Sequence, residues 1–293
     1  LYIRDEIPGY EEKSARFRYL FGRLRTTAED IVDRMAEELA ESDFKPVAFE
    51  LGFGGRDGTL PAITIQEGDA TLSVSGKVDR VDGWLHDGKL YLRVVDYKTG
   101  RKSFDLSDVR YGLGIQMLLY LFTLEKEGQS CFGYPIVPAG VLYHPARDLI
   151  LKTDRDISPE ALRRAMDREL RRDGMVLGDP EVLRAMEHSA LEAPCFLPIQ
   201  VSKDGGISGG VATAAQLGRL GQYVEKLLHQ ITRELRQGNI DADPCWRGPQ
   251  ESACTYCDFA SACHFQDGQA DDRLRPLKRV KPCLLYTSDA ADE

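Results

Sequence analysis

Asp79, in Gly76-Lys77-Val78-Asp79-Arg80-Val81-Asp82, and Asp96 with Lys98, in Val95-Asp96-Tyr97-Lys98-Thr99-Gly100, are the residues of this sequence whose types and spacing suit chemistry. In a β-strand, side chains i and i+2 share a face, so Asp96 and Lys98 point the same way. Where the two stretches pair as a hairpin, Asp79 joins them. Two carboxylates converging on one point hold a hard divalent cation such as Mg²⁺ through oxygen. A lysine beside that ion positions or deprotonates a water, or stabilises charge building on a phosphate. Those are the minimal parts for cutting a phosphodiester.

A surface hairpin with a weak Asp–Lys ion pair would carry the same local pattern. The neighbourhood favours a site. Leu90, Tyr91, Leu92, Val94 and Val95 give residues 90–95 the composition of a strand buried on both faces. A carboxylate and an ammonium buried at the end of such a strand are costly without an ion or a partner.

Two further groups follow along the chain. Gln116 and Tyr120 lie on one face of a helix expected from about 112 to 127, a spacing that serves packing as well as ligand contact. Cys254, Cys257 and Cys263 form a C-x2-C-x5-C pattern, and thiolates so close suit a soft-metal site. Zinc or a [4Fe–4S] cluster normally takes four protein ligands. No cysteine precedes Cys131, and Cys245 sits on a Pro-rich approach. Cys131 and Cys195 read as small buried hydrophobes. Unrelated free thiols in a reducing cytosol are the alternative for the triplet.

Together and in this order, these features resemble the PD-(D/E)XK nucleases of the RecB type, as carried by the AddB-type subunits of bacterial helicase–nucleases, over most of residues 10–270. The resemblance implies a restriction-endonuclease-like α/β core, a mixed sheet flanked by helices, and a helical C-terminal extension bearing the cysteine cluster. It implies catalysis by Asp79, Asp96 and Lys98, with Mg²⁺ on Asp79 and Asp96. The Tyr97 carbonyl would be a third ligand and Glu50 an outer candidate. Gln116 and Tyr120 would touch DNA. Cys254, Cys257 and Cys263 would hold a [4Fe–4S] cluster whose fourth cysteine lies far upstream of the core. The implied partners are DNA, as a single strand at the nuclease site, and an AddA-type helicase–nuclease subunit. A histidine metal ligand ahead of the core is implied too, yet no histidine precedes His86, which falls at a hairpin tip. Residues 1–145 would then be the nuclease core with its N-terminal helix, 146–240 an insertion or helical extension, 241–270 the cysteine segment and 271–282 a tail.

The elements that must hold these residues read as helix, strands, helix, strand. Phe17, Leu20, Phe21, Leu24, Ala28, Ile31, Val32, Met35 and Leu39 recur at helical spacing, predicting a helix over about 12–42 that Pro46 ends. Strands follow at 47–53, 62–65, 71–84 and 89–98, with Asp87-Gly88 as a hairpin tip, and a fifth at 141–143. Ser158 and Pro159 open a helix over 158–172 as N-cap and first residue. Residues 173–212 are rich in Gly and Pro and carry no clear period, the mark of an insertion or irregular connector. A long helix over 213–237, ended by Gly238, leads to the cysteines.

The composition, 42% hydrophobic and 29% charged, is that of a globular chain. No run of about 18 apolar residues occurs, so no transmembrane helix is supported, and the scattered cysteines do not form a secreted disulfide scaffold. Cytoplasm is the expected location. Leu1 stands where an initiator Met would, and the sequence reads as a fragment. The last eleven residues, from Cys283 to Glu293, resemble the one-frame translation of a transposase-end sequencing adapter. They carry three acids and no base, so without them the net charge is −6 rather than −9. That acidic balance is unusual for a nucleic-acid binder unless basic residues cluster locally. Arg16, Arg18, Arg23 and Arg25 gather in one helix and Arg163, Arg164, Arg168, Arg171 and Arg172 in another, as phosphate contacts or as solvated faces.

Three functions fit this reading. One is a metal-dependent DNA exonuclease domain of a helicase–nuclease acting in double-strand-break repair and recombination. A second is a CRISPR-associated RecB-like nuclease, against which the long segment 146–240 counts. The third is a non-catalytic DNA-binding iron–sulfur module, which would have no need of an intact Asp79, Asp96 and Lys98. No G-x-x-x-x-G-K-[ST] phosphate loop occurs, so ATP use would come from elsewhere.

Overall fold

Ser14 accepts a hydrogen bond from the Phe17 N–H and opens helix α1, Ala15–Ala40. The helix stops at Ala40 and does not run on to Pro46, which lies inside β1, Lys45–Phe53. β1 is an edge strand, where a missing N–H costs no ladder bond. The computed structural model describes residues 7–56, 58–149, 151–153, 156–269 and 272–279; the adapter-like segment 283–293 lies outside them.

The stretch expected as one strand over 71–84 is two. β2, Ile63–Glu67, pairs with β3, Ala70–Val74, in a separate hairpin, and β4, Gly76–His86, joins the large sheet. β5, Lys89–Lys98, folds back on β4 through Asp87 (φ 47°) and Gly88 (φ 72°), the paired left-handed residues of a type I′ turn. Then come α2, Leu106–Arg110, α3, Gln116–Phe132, and β6, Ile136–Pro145. Helix α4, Pro159–Glu169, is capped by Ser158, and Arg171 and Arg172 lie beyond its end. β7, Asp173–Leu177, α5, Pro180–Met186, β8, Ile199–Val201, β9, Ile207–Gly209, and β10, Val211–Ala212, follow. The Thr213–Gln216 capping box starts α6, Ala214–Arg236. Near the cysteines are β11, Cys245–Trp246, the short helix α7, Ala260–Cys263, and β12, Arg275–Pro276.

The described residues form two units, each discontinuous in sequence. Of these, the first draws on residues within 7–50, 78–103 and 137–212, the second on residues within 51–77, 104–136 and 213–279. The first is built on a six-stranded sheet in the order β1-β4-β5-β6-β7-β10, mixed because β4/β5 and β6/β7 are antiparallel and β7/β10 parallel. A mixed sheet with flanking helices is what the sequence resemblance implies. Its core includes Phe44, Val81, Leu92, Val94, Leu142, Val176 and Leu183, all buried. Residues 173–212, which show no period in sequence, supply β7 and β10. Gly174 (φ 146°) lets β7 approach β6, since a Cβ there would overlap the Val141 carbonyl oxygen.

In the second unit the β2/β3 hairpin packs on α6, with Ile65, Leu217, Leu220, Val224 and Leu228 buried. No helix among the described residues is long and apolar enough to cross a membrane.

Candidate active site

The β4/β5 hairpin sorts its charged residues by strand period. The ladder ends with Arg80 opposite Val95, and Asp79 and Asp96 come next on their strands. Asp79, Asp96 and Lys98 fall on one face; Arg80, Asp82, Arg93 and Tyr97 fall on the other.

On the first face, Oδ2 of Asp79 accepts a hydrogen bond from the Tyr97 N–H at 3.0 Å. Asp96 is 5% exposed, and Lys98 Nζ stands 2.5 Å from its Oδ2, an ion pair by distance without the alignment of a hydrogen bond. Lys98 also lies over the ring of Tyr143, with its nitrogen 5.6 Å from the centroid. Burial lifts the Asp96 carboxyl above the usual range, the charge of Asp79 lifts it further, and Lys98 pulls it back. The expected site residues Asp79, Asp96 and Lys98 are thus brought together.

These groups fit a hard divalent cation. Mg²⁺ is commonly held by one or two carboxylates, with waters and substrate phosphate completing its shell. Asp96 offers a buried carboxylate oxygen without a well-aligned donor, beside a second carboxylate that repels it.

The second face holds what sequence reasoning missed. Arg80, Asp82 and Arg93 are fully buried. Arg93 donates to Asp82 Oδ2 at 2.9 Å and to Glu38 Oε1 at 3.2 Å, and Arg80 donates to Asp82 Oδ2 at 3.0 Å and to the Tyr97 hydroxyl at 2.9 Å. Arg172 grips Glu38 Oε2 through two nitrogens. Arg172 is therefore a buried structural charge, whereas Arg163, Arg164 and Arg168 lie on a solvated helix face. The signal was present in sequence: an arginine inside the apolar run 90–95 has to be paired. Arg16, Arg18, Arg23 and Arg25 are exposed, and Arg23 pairs with Asp148. Glu50 takes a left-handed φ of 52° within β1, where the in–out alternation breaks.

Gln116 and Tyr120 belong to the second unit. Gln116 Nε2 donates to the Tyr120 hydroxyl at 2.6 Å, and the Tyr120 ring packs edge-on against Phe53 at 5.3 Å. Both line a cavity of about 390 Å³ with Phe53, Ser75 and Gly114.

The cysteine triplet occupies a turn-rich stretch. Cys257 N–H donates to the Cys254 carbonyl, and Cys263 ends α7. Ala253 N–H donates to the Cys245 carbonyl at 2.9 Å, which brings Cys245 alongside the start of the triplet. The thiols suit a soft metal, but among the described residues no three His, Cys, Asp or Glu side chains are gathered to hold one.

The sequence profile of the PD-(D/E)XK nuclease superfamily matches residues 2–264. Three relatives are named as the B-type subunit of an ATP-dependent helicase/deoxyribonuclease. The protein of Acetivibrio thermocellus is 34% identical over 283 residues, 96% of this chain and 24% of its own. That of Desulforudis audaxviator is 35% identical over 276 residues, 93% of this chain and 24% of its own. That of Caldanaerobacter subterraneus subsp. tengcongensis is 34% identical over 268 residues, 89% and 23%. The chain spans about a quarter of the length of these curated relatives.

Proposed function

Since this chain belongs to the PD-(D/E)XK nuclease superfamily, we propose that it is the Mg²⁺-dependent exonuclease domain of a helicase–nuclease subunit, acting on single-stranded DNA in double-strand-break repair and recombination. The observation that carries the reading is the convergence of Asp79, Asp96 and Lys98 at the open end of the β4/β5 ladder. The names of the relatives support the setting within a helicase–nuclease.

Asp79 and Asp96 would hold the cation, with the Tyr97 carbonyl as a further oxygen donor. When bound, Mg²⁺ supplies positive charge against the phosphate oxygens. The Tyr97 N–H fixes the Asp79 carboxylate, leaving its other oxygen for the ion. Lys98, steadied by the Tyr143 ring and by Asp96, would orient the attacking water and stabilise the charge that develops on the phosphate. Gln116 would present its amide, and the hydroxyl it holds on Tyr120, to the DNA strand. On the same reading, Cys254, Cys257 and Cys263 are three ligands of a [4Fe–4S] cluster, and an AddA-type subunit is the partner; thiol chemistry and spacing support the cluster.

The test is Mg²⁺-dependent degradation of labelled single-stranded DNA by the full-length protein, purified anaerobically, beside Lys98→Ala. Cutting that disappears in the variant supports the nuclease. A folded wild type that never cuts, or a Lys98→Ala protein that cuts normally, rejects it. Iron content of the same preparation, compared with Cys257→Ala, tests the cluster.

A further inference from the structure

Beside Lys98 the first unit opens a cavity of about 250 Å³ whose walls carry Lys98, Arg101, Lys102, Arg147 and Arg171. Glu169 and Asp173 are the acids in its lining and Asp96 pairs with Lys98, so among the described residues there five cations face three acids, in a chain whose net charge is −9. Arg171 is a wall residue, its guanidinium donating to the carbonyls of Pro194 at 2.6 Å and Ile199 at 3.4 Å. Arg147 Nη2 also donates to the carbonyl of Glu169, at 3.4 Å, and Arg101 is largely exposed. Their Nη2 atoms each approach the single oxygen Oε2 of Glu169 at 3.6 Å, from opposite parts of the chain. That distance exceeds a hydrogen bond, so the carboxylate lies loosely between two planar donor forks. Two guanidinium groups aimed at one anionic oxygen match a phosphate better than one carboxylate, because a phosphate presents an oxygen to each fork.

We propose that this cavity seats the backbone phosphate next to the scissile one on a bound single strand, with Arg101 and Arg147 gripping it in place of Glu169. The inference rests on the nuclease reading of Lys98, which lines the same cavity. Lys102, exposed at the rim, adds charge without geometry. Glu169 keeps the pair of arginines poised while the site is empty and gives way to the stronger anion.

The experiment uses the full-length protein and an oligothymidylate carrying one methylphosphonate next to the bond being cut, which removes that phosphate's charge. Arg147→Ala should slow cutting of the unmodified strand about tenfold, and the methylphosphonate should slow the wild type to a similar degree. Combined, they should cost no more than either alone. Arg147→Lys should recover part of the loss. Binding of the unmodified strand in EDTA should tighten several-fold in Glu169→Gln, and in Arg147→Ala the slope of log affinity against log salt should shrink by about 0.7, one single-strand phosphate contact. Losses that multiply, a wild-type rate and salt slope in Arg147→Ala, or weaker binding in Glu169→Gln would each overturn the proposal. Lys98→Ala keeps the two readings apart. If it abolishes cutting while Arg147→Ala changes nothing, the phosphate seat fails and the nuclease stands. If nothing cuts but the binding effects appear, the seat stands and the nuclease fails.

Discussion

The N–H of Tyr97 donates to Oδ2 of Asp79 at 3.0 Å, so the residue between Asp96 and Lys98 is tied to the carboxylate of the neighbouring strand. One hydrogen bond therefore sets the spacing of all three site residues. Asp79→Asn keeps an acceptor for that N–H and removes the charge. It should unfold at the wild-type urea concentration within about 0.5 kcal/mol and lose cutting by about a hundredfold or more. Asp79→Ala should lose the same activity and about 1 kcal/mol of stability besides. Equal stability of the two variants would show that the bond does not position the strands.

Asp96→Asn should separate stability from activity. Burial, with Asp79 adding to it, raises the folded-state value of Asp96 above 3.8, so the metal-free folded chain binds that proton more tightly than the unfolded chain. Stability then falls as pH rises from 3.8 through the raised value, and at pH 7 the ionised Asp96 is a burden. The variant should melt higher than wild type in EDTA at pH 7, and Mg²⁺ should stabilise only the wild type. A lower melting temperature in EDTA would contradict this assignment.

Breaking the buried ion network should be far costlier than breaking a surface pair. Arg93→Met leaves Asp82 and Glu38 each short of a donor in a dry interior and should cost about 3–5 kcal/mol by urea denaturation. Arg163→Ala, which loses exposed contacts to Glu37 and Asp167, should cost no more than about 1 kcal/mol. Similar losses from the two would mean that water reaches the network.

The chain should be sensitive to acid. Burial and the nearby Arg172 and Arg80 charges push the His144 imidazole down to about 2. Burial alone would raise Glu38, but Arg172, Arg93 and Arg80 overcome it and hold the carboxyl at about 2. The unfolded chain takes up a proton on His144 below about pH 6.5 and on Glu38 below about 4.5, which the folded chain refuses until about pH 2. The stability these two groups contribute should thus be level above pH 7 and fall as pH drops, Glu38 alone accounting for about 3 kcal/mol by pH 2. In His144→Phe the decline should begin only near pH 4.5. An unchanged onset would place the sensitivity elsewhere.

How far the sequence could be read depended on whether a residue's neighbours were local. The 89–98 strand, the Asp87-Gly88 turn, the cap at Ser158 and the helix from 213 are written in adjacent residues and were legible. So was the face shared by Asp96 and Lys98, since strand period alone decides it. β7 and β10 were not, because short strands containing glycine gain their place from partners far along the chain. Arg172 was misplaced for the same reason: its carboxylate partner Glu38 lies in α1, and no pattern in the residues around 172 announces its burial.

Glu38 and Arg172 are 134 residues apart. At ribosomal speed, that separation is on the order of ten seconds of synthesis. Throughout the interval the first helix and the β4/β5 hairpin are outside the ribosome with Glu38 still short of the arginine that grips its Oε2. A nascent chain halted before residue 172 would hold every residue of the candidate cation site and yet lack Arg172 and the strands β7 and β10 that complete the sheet. Folding of this unit is therefore gated late in its translation, and a truncation that spares Asp79, Asp96 and Lys98 but removes residue 172 should leave a chain that chaperones retain.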